Sequence, residues 1–449
     1  TYDPAAADRY FNKRWVLKYG RAVQLAYILG GWGIGLLRDR YEYGGIGGRG
    51  NKWEKNMPMR AKQLLGLTQR LGTTAIKIGQ ALSIRGDILP APYVKELSEL
   101  QDRVKPFPNH IAMEIIEEEL RSSTGGKSLK GIFRTVSSAP VAAASIGQVY
   151  KGELMDGQEV AIKVQRPDVI KDIALDLYVC RTIAPLWKKF FKLNSDLVGL
   201  IDEWGAGFVN ELDYEREAVN SQRFLAAMRA RGLDAVTTAE VVEDLSTERV
   251  LTTRWVVGER LEKSSEDDVG RLCGVALNAY LTMLLDTGLL HCDPHPGNLL
   301  RTEDGKLCIL DFGMCIEVEK DLQYALIEYI AHLMSEDYKQ IPRDLIKLGF
   351  VPAGKEALIQ RAGVVEALSE RVNVGDVARK MEQLQEDDNN YFQIPPWMAY
   401  ILRTFSVLEG IGLQQDEDYS IAQECYPYLA KRLFSDSSPR AQEALRQML

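Results

Sequence analysis

The chain has 449 residues, 46% of them apolar and 26% charged, the proportions of a soluble globular protein rather than of a disordered or collagen-like one. Its net charge of −8 argues against nucleic acid as the main partner, because a phosphate backbone demands clustered cations. Six cysteines, at 180, 273, 292, 308, 315 and 425, form no CxxC pair and fit free thiols in a reducing compartment.

The charge is uneven. Residues 1–80 hold 14 Lys and Arg against 5 Asp and Glu, a surplus of nine that leaves −17 for the remainder. A basic amino-terminal segment on an acidic body points to an anionic surface such as a lipid headgroup layer, or else to a solvated basic face. The chain begins with Thr rather than Met, as a processed or excised chain would. Residues 1–42 read as helical. Their apolar run QLAYILGGWGIGLL is 14 residues long and glycine-broken, too short to span a bilayer. Flanked by Arg21, Arg38 and Arg40 and containing Trp32, it suits either a membrane interface or burial against another helix.

YGGIGGRGNKWEKN then breaks the pattern as a linker. It contains a formal GxGxxG at Gly45, Gly47 and Gly50, but no strand precedes it and no apolar helix follows, so a dinucleotide site is rejected. GGKS at Gly125–Ser128 lacks the first glycine of a P-loop and is rejected too. From Pro58 to Leu120 apolar residues recur at helical spacing. SIGQVYKGEL, the turn MDGQ and EVAIKVQRP predict a β-hairpin turning at Asp156–Gly157. In its second strand Val160, Ile162 and Val164 share one face, which leaves Lys163 with Ala161 and Gln165 on the other. One long helix carrying ELDYEREAVNSQRF is expected next, with Asp213 and Glu217 on one face and Glu211 and Glu215 on another. Strands are expected near 238–243 and 249–256. From about 262 the chain reads as helical, interrupted by a single hairpin, LLRTEDGKLCIL.

The chemistry concentrates in HCDPHPGNLL, residues 291–300, and the LDFG that follows. His291, Cys292, Asp293 and His295 are crowded together, but structural zinc usually draws on two separated ligand pairs, and no second pair is placed to help. A proline-stiffened structural turn leaves the polar crowding unexplained. Phosphoryl transfer accounts for more of it. Asp293 and Asn298 stand five residues apart, and a short hairpin returns Asp311 so that it can share a magnesium ion with Asn298. Hard oxygen ligands suit magnesium. D-x4-N, a hairpin, then DFG, with Lys163 in VAIK upstream, is the protein-kinase order. Such a lysine needs a carboxylate, and Glu211, Asp213, Glu215 and Glu217 are all candidates.

Four motifs give the chain a clear resemblance to the UbiB (aarF-domain) atypical kinase-like family: KIGQ at Lys77–Gln80, AAAS at Ala142–Ser145, ELD at Glu211–Asp213 and HCDPHPGN at His291–Asn298. The resemblance implies an α+β, bilobal protein-kinase-like fold with an added helical extension. The implied division is an amino-terminal segment and linker (1–57), the KxGQ extension (58–140), a β-rich lobe with an alanine-rich loop (141–260) and a helical lobe (261–449). It further implies that Lys77, with Gly79 and Gln80 of the same motif, works with Glu211 and Asp213, and that Lys163 pairs with Glu217. Asp293 would be the catalytic-loop aspartate. Ala142, Ala143, Ala144, Ser145 and Lys163 would bind ATP, and Asn298 and Asp311 would bind Mg2+. Three consecutive alanines predict a stiffer, more helix-prone loop than a glycine-rich one. The family's work is ATP hydrolysis or phosphotransfer supporting prenylquinone metabolism at membranes. Prenylquinone-type lipids or lipid-modifying enzymes would be the partners, with peripheral membrane contact. LGTTAIKIGQALSIRGDILPAPYVKELSELQDRV and PYLAKRLFSD resemble plastid and cyanobacterial members. This implies a chloroplast thylakoid or plastoglobule setting first and a cyanobacterial one second. A small-molecule phosphotransferase of the aminoglycoside or choline kinase kind, and a catalytically silent nucleotide-dependent lipid-binding scaffold, are the alternatives.

Overall fold

The computed structural model describes residues 2–41, 52–83, 89–101, 106–191, 197–264, 267–293, 296–335, 337–351, 395–415 and 421–436, with single residues between 438 and 446. The GIGGRG linker and His295 lie outside them. The chain forms two units, residues 1–219 with 239–256 and residues 220–238 with 257–449.

The first unit is built on an antiparallel sheet. Strands β1 (Phe133–Val136), β3 (Gly147–Leu154), β4 (Glu159–Gln165) and β6 (Val250–Arg254) follow one another across it, and β2 (Ala142–Ala143) joins the edge of β3. The β3–β4 turn is the expected one: Gly157 takes φ +87°, and Leu154 N–H donates to the Gln158 carbonyl at 2.8 Å. Val160, Ile162 and Val164 are fully buried against α6 (Asn109–Ser123) through Ile115, Ile116 and Leu120, and the single turn α7 (Leu129–Ile132) leads into β1. This alternation leaves Lys163 on the other face of β4.

Around the sheet, α3 (Lys52–Leu71), α4 (Thr73–Leu82) and α5 (Ala91–Ser98) pack through Ile76, Leu97 and Leu100. Helices α1 (Pro4–Asn12) and α2 (Trp15–Tyr41) lie on α8 (Val169–Phe191) through Phe11, Tyr178 and Val179. Two residues considered for a lipid-facing role point inward. Arg21 donates to Asp176 at 2.5 Å, and Trp32 Nε1 donates to the Arg60 carbonyl at 2.9 Å.

The long helix expected around ELDYEREAVNSQRF is two helices. α9 (Leu197–Glu211) ends at the ELD motif and α10 (Tyr214–Arg229) begins after it. Asp213 breaks the run as an N-cap, its Oδ1 accepting from Arg216 N–H at 3.0 Å, with Glu215 and Glu217 in the acid-favouring first turn. The expected 238–243 strand is reduced to a bridge from Val241 to Thr253, with β5 (Val236–Thr237) ending before it.

The second unit has a core of α11 (Val269–Thr282), α12 (Lys320–Met334), α14 (Pro396–Gln415) and α15 (Ile421–Ser435), with α13 (Ile341–Lys347) packed on α12. It contains more strand than the sequence pattern predicts. Strands β7 (Gly258–Arg260), β9 (Leu299–Thr302) and β10 (Leu307–Ile309) form a sheet with β5, and β8 (Leu289–His291) pairs with β11 (Cys315–Glu317). Most of these strands are three residues long, too short for an alternation to show in sequence. All six cysteines are free thiols. Burial pushes Cys180 and Cys273 up to about 11 and Cys308 to about 12, so these three stay protonated.

Candidate active site

Strand β4 presents Lys163, and the first turn of α10 presents Glu217. The Lys163 ammonium donates to both Glu217 oxygens at 2.8 Å and sits 5.0 Å from the Tyr214 ring centroid. Of the four carboxylates available by sequence, this is the one Lys163 takes. The helix break at Asp213 decides it, because it starts a new helix whose first turn carries Glu217. Asp213 itself is exposed and acts as a cap.

The KIGQ motif divides its work. Lys77 forms a buried ion pair with Glu211, the last residue of α9. Gly79 and Gln80 instead hold α4 in place. A Cβ on Gly79 would stand 2.5 Å from Leu100 Cδ1, and Gln80 Nε2 donates to the Leu100 carbonyl at 3.0 Å.

The alanine-rich loop is not helical. Ala142 and Ala143 pair with Val149 and Gln148 as strand β2, and Ala144 N–H donates to the Gly147 carbonyl at 2.8 Å. The edge of β3 offers backbone partners, and that tertiary pairing overrides alanine's helix propensity. The turn is held by Arg166, whose guanidinium donates to the Ser145 carbonyl at 3.1 Å and the Ala144 carbonyl at 3.4 Å; Thr73 Oγ1 adds a 3.3 Å bond to Ser145. Arg166 belongs to none of the motifs above. Its signal was an arginine at the end of the lysine-bearing strand, three residues after Lys163.

In the second unit Asp293 follows β8, and Asn298 closes a short turn. Asn298 Nδ2 donates to the Asp293 carbonyl at 3.2 Å, and Leu310 N–H donates to the Asn298 carbonyl at 2.8 Å, so the hairpin returns the chain to Asp311. Asp311 adopts φ +58°, a left-handed conformation uncommon outside glycine and tolerated by Asp and Asn. Three contacts hold it there. His291 Nε2 lies 2.9 Å from the Asp311 carbonyl, Asn220 Nδ2 donates to the Phe312 carbonyl at 3.2 Å, and Phe312 is buried edge-on to His291. Burial lowers the pKa of His291, so its imidazole is neutral at pH 7. Carbonyl acceptors at Nε2 place the proton there, leaving Nδ1 to accept from the Tyr280 hydroxyl 3.2 Å away. Asn220 lies far from the motif in sequence and Tyr280 eleven residues before His291, and no local pattern marks either.

The donor chemistry fits magnesium better than zinc. Cys292 is buried, its thiol turned to the Leu290 carbonyl, and His291 is occupied as above. No cluster of three His, Cys, Asp or Glu suited to a metal ion occurs among the described residues. Asn298 spends its amide nitrogen on the Asp293 carbonyl, which leaves its carboxamide oxygen as a hard donor, and the Asp311 carboxylate, on an exposed residue, is a second of the same kind.

Residues 99–345, more than half of the chain, match the ABC1 atypical kinase-like domain. The chain belongs to the ABC1 atypical kinase-like family. This ABC1 chain is 36% identical over 460 residues to the Arabidopsis thaliana chloroplastic protein Activity of BC1 Complex Kinase 3, covering 100% of this chain and 63% of that one. It is 35% identical over 472 residues to an uncharacterized Synechocystis protein, covering 100% of this chain and 65% of that one. It thus spans less than two thirds of these curated relatives. Among solved structures, a Mycobacterium tuberculosis protein in complex with erythromycin superposes with a TM-score of 0.53 at 25% identity, over 80% of this chain and 93% of that one. The fold of the ABC1 chain is kinase-like, α+β and rich in helix.

Proposed function

We propose that this ABC1-family chain binds Mg·ATP and transfers or hydrolyses its terminal phosphoryl group in support of prenylquinone metabolism at membranes. The observation that carries the reading is the two-oxygen Lys163–Glu217 pair on the third strand of a kinase-like sheet. There a lysine contacts the α- and β-phosphates, and its carboxylate fixes its direction. Asp293 accepts the proton of the attacking hydroxyl or water. Asn298 and Asp311 are the residues that would hold magnesium, which supplies charge neutralisation to the phosphates when bound. Ala142–Ser145 cover the phosphates, and Lys77 with Glu211 anchors the helical extension. The Arabidopsis relative is chloroplastic by name and the other is cyanobacterial, which supports a plastid setting first and a cyanobacterial one second; within the plastid, thylakoids or plastoglobules are the membranes we propose. The test is phosphate release from ATP by the full chain, with and without anionic liposomes, beside the Asp293→Asn variant. Turnover lost in that variant supports the reading. Nucleotide binding without turnover would replace it with a nucleotide-dependent lipid-binding scaffold.

A further inference from the structure

Helix α2 is inside out. Its only acid, Asp39, is buried and bonded to Arg60 at 2.7 Å, Arg21 is turned onto Asp176, and Lys18 donates to the Tyr178 hydroxyl at 2.9 Å. The outward face carries Trp15, Tyr19, Val23, Tyr27, Ile34 and Leu37. Nine of the seventeen exposed large apolar side chains among the described residues fall between Tyr10 and Leu37. Tyr27 is 84% exposed, Val23 67%, Trp15 66% and Ile34 60%. At 3.6 residues per turn these six occupy about a third of the helix circumference, in a stripe ~33 Å long. No Asp, Glu, Lys or Arg falls within that arc.

A stripe of this size on a soluble surface marks an interaction site. The charges at its ends identify the occupant. Exposed Lys13 and Arg14 flank one end and exposed Arg38 the other. A second copy laid against the stripe, parallel or antiparallel, would bring cation against cation at both ends. An anionic lipid surface accepts both ends, takes the aliphatic residues into the acyl boundary and seats Trp15, Tyr19 and Tyr27 at headgroup level. No helix among the described residues is long and apolar enough to cross a membrane, so contact through α2 is peripheral. We propose that the outer face of α2 is a docking surface for an anionic lipid layer, held by apolar insertion with the end cations as guides. This rests on the membrane setting proposed above, and refines it by naming the face.

The test is flotation of the full chain with vesicles of equal parts phosphatidylcholine and phosphatidylglycerol, comparing wild type with the Val23→Glu/Ile34→Glu double variant. Both positions are exposed, so melting temperature and lipid-free ATP turnover should be unchanged. The partition coefficient should fall by at least about tenfold, because two charges must now enter the interface. Equal flotation of variant and wild type would overturn the proposal. So would a wild-type dimer in sedimentation that the variant dissolves, since a second copy would then cover the face. If the double variant fails to fold, Trp emission decides. Brominated acyl chains should quench wild type more than Trp15→Phe, and equal quenching overturns the proposal. Flotation of a wild-type chain that never turns over ATP would sink the phosphotransfer reading and leave the surface standing.

Discussion

Lys163 and Glu217 meet symmetrically, the ammonium 2.8 Å from each carboxylate oxygen, with the Glu217 side chain only 4% exposed. Removing one partner strands the other charge at a desiccated site and typically costs ~3–5 kcal/mol, whereas replacing both with apolar residues is often neutral. Lys163→Met should therefore lower the melting temperature and abolish turnover. The double variant Lys163→Met/Glu217→Leu should regain much of the stability and none of the turnover. Thermal melts beside ATPase rates separate the two effects. Turnover recovered together with stability would make the pair merely structural.

The KIGQ motif should separate in the same way. Gly79→Ala forces a methyl into Leu100, an overpacking expected to cost ~1–3 kcal/mol. Gln80→Ala leaves the Leu100 carbonyl short of a partner, at ~1–3 kcal/mol. Both should lower melting temperature with little change in turnover per folded molecule. Lys77→Met should act on turnover as well as stability, because its partner Glu211 ends the helix just before the α10 cap. Equal profiles for all three variants in denaturant melts and rates would refute this division.

Much of the first unit was legible because its signals are local. Alternation along β4 put Lys163 opposite Val160, Ile162 and Val164, and Asp156–Gly157 gave the turn. The D-x4-N and DFG spacing was legible for the same reason, since one short hairpin joins Asn298 to Asp311. The remainder depends on long-range partners. Periodicity ran α9 and α10 together because it weighs apolar spacing and not the capping bond of Asp213. Alanine propensity misread Ala142–Ala143 because the decisive partner is the edge of β3. The inward turn of Arg21 is set by Asp176 on α8, 155 residues away.

Asp311→Asn should isolate the charge needed for magnesium. Asn, like Asp, tolerates the left-handed φ of +58°, so the backbone and its bond to His291 should survive. The variant should melt close to wild type without ligand and lose the Mg·ATP-dependent shift. In wild type that shift should reach ~2.7 kcal/mol at about 100 times the dissociation constant. An unchanged shift in the variant would show that magnesium is held elsewhere.

The alanine-rich loop offers the last test. Its stiffness was expected from alanine's helix preference, but Ala142 and Ala143 are strand-paired, and the turn is anchored from outside by Arg166 and Thr73. Anchoring and propensity make different predictions. Ala144→Gly removes no anchor; it adds backbone freedom worth ~0.5–1 kcal/mol and leaves the Ala144 N–H bond to Gly147 available. Arg166→Met strips the Ser145 and Ala144 carbonyls of their charged donor, a loss of ~1–3 kcal/mol concentrated on the turn. If anchoring sets the loop, Arg166→Met should change ATP and ADP affinities more than Ala144→Gly does, with both proteins folded. If propensity sets it, the order reverses, and Ala144→Gly alone should shift the ratio of the two affinities or permit phosphate incorporation into the chain. Calorimetric titration of each nucleotide into the three proteins, with a labelled-phosphate assay, distinguishes the cases. Unchanged affinities in both variants would leave Ala142–Ser145 as packing against α4 and remove the loop from nucleotide binding.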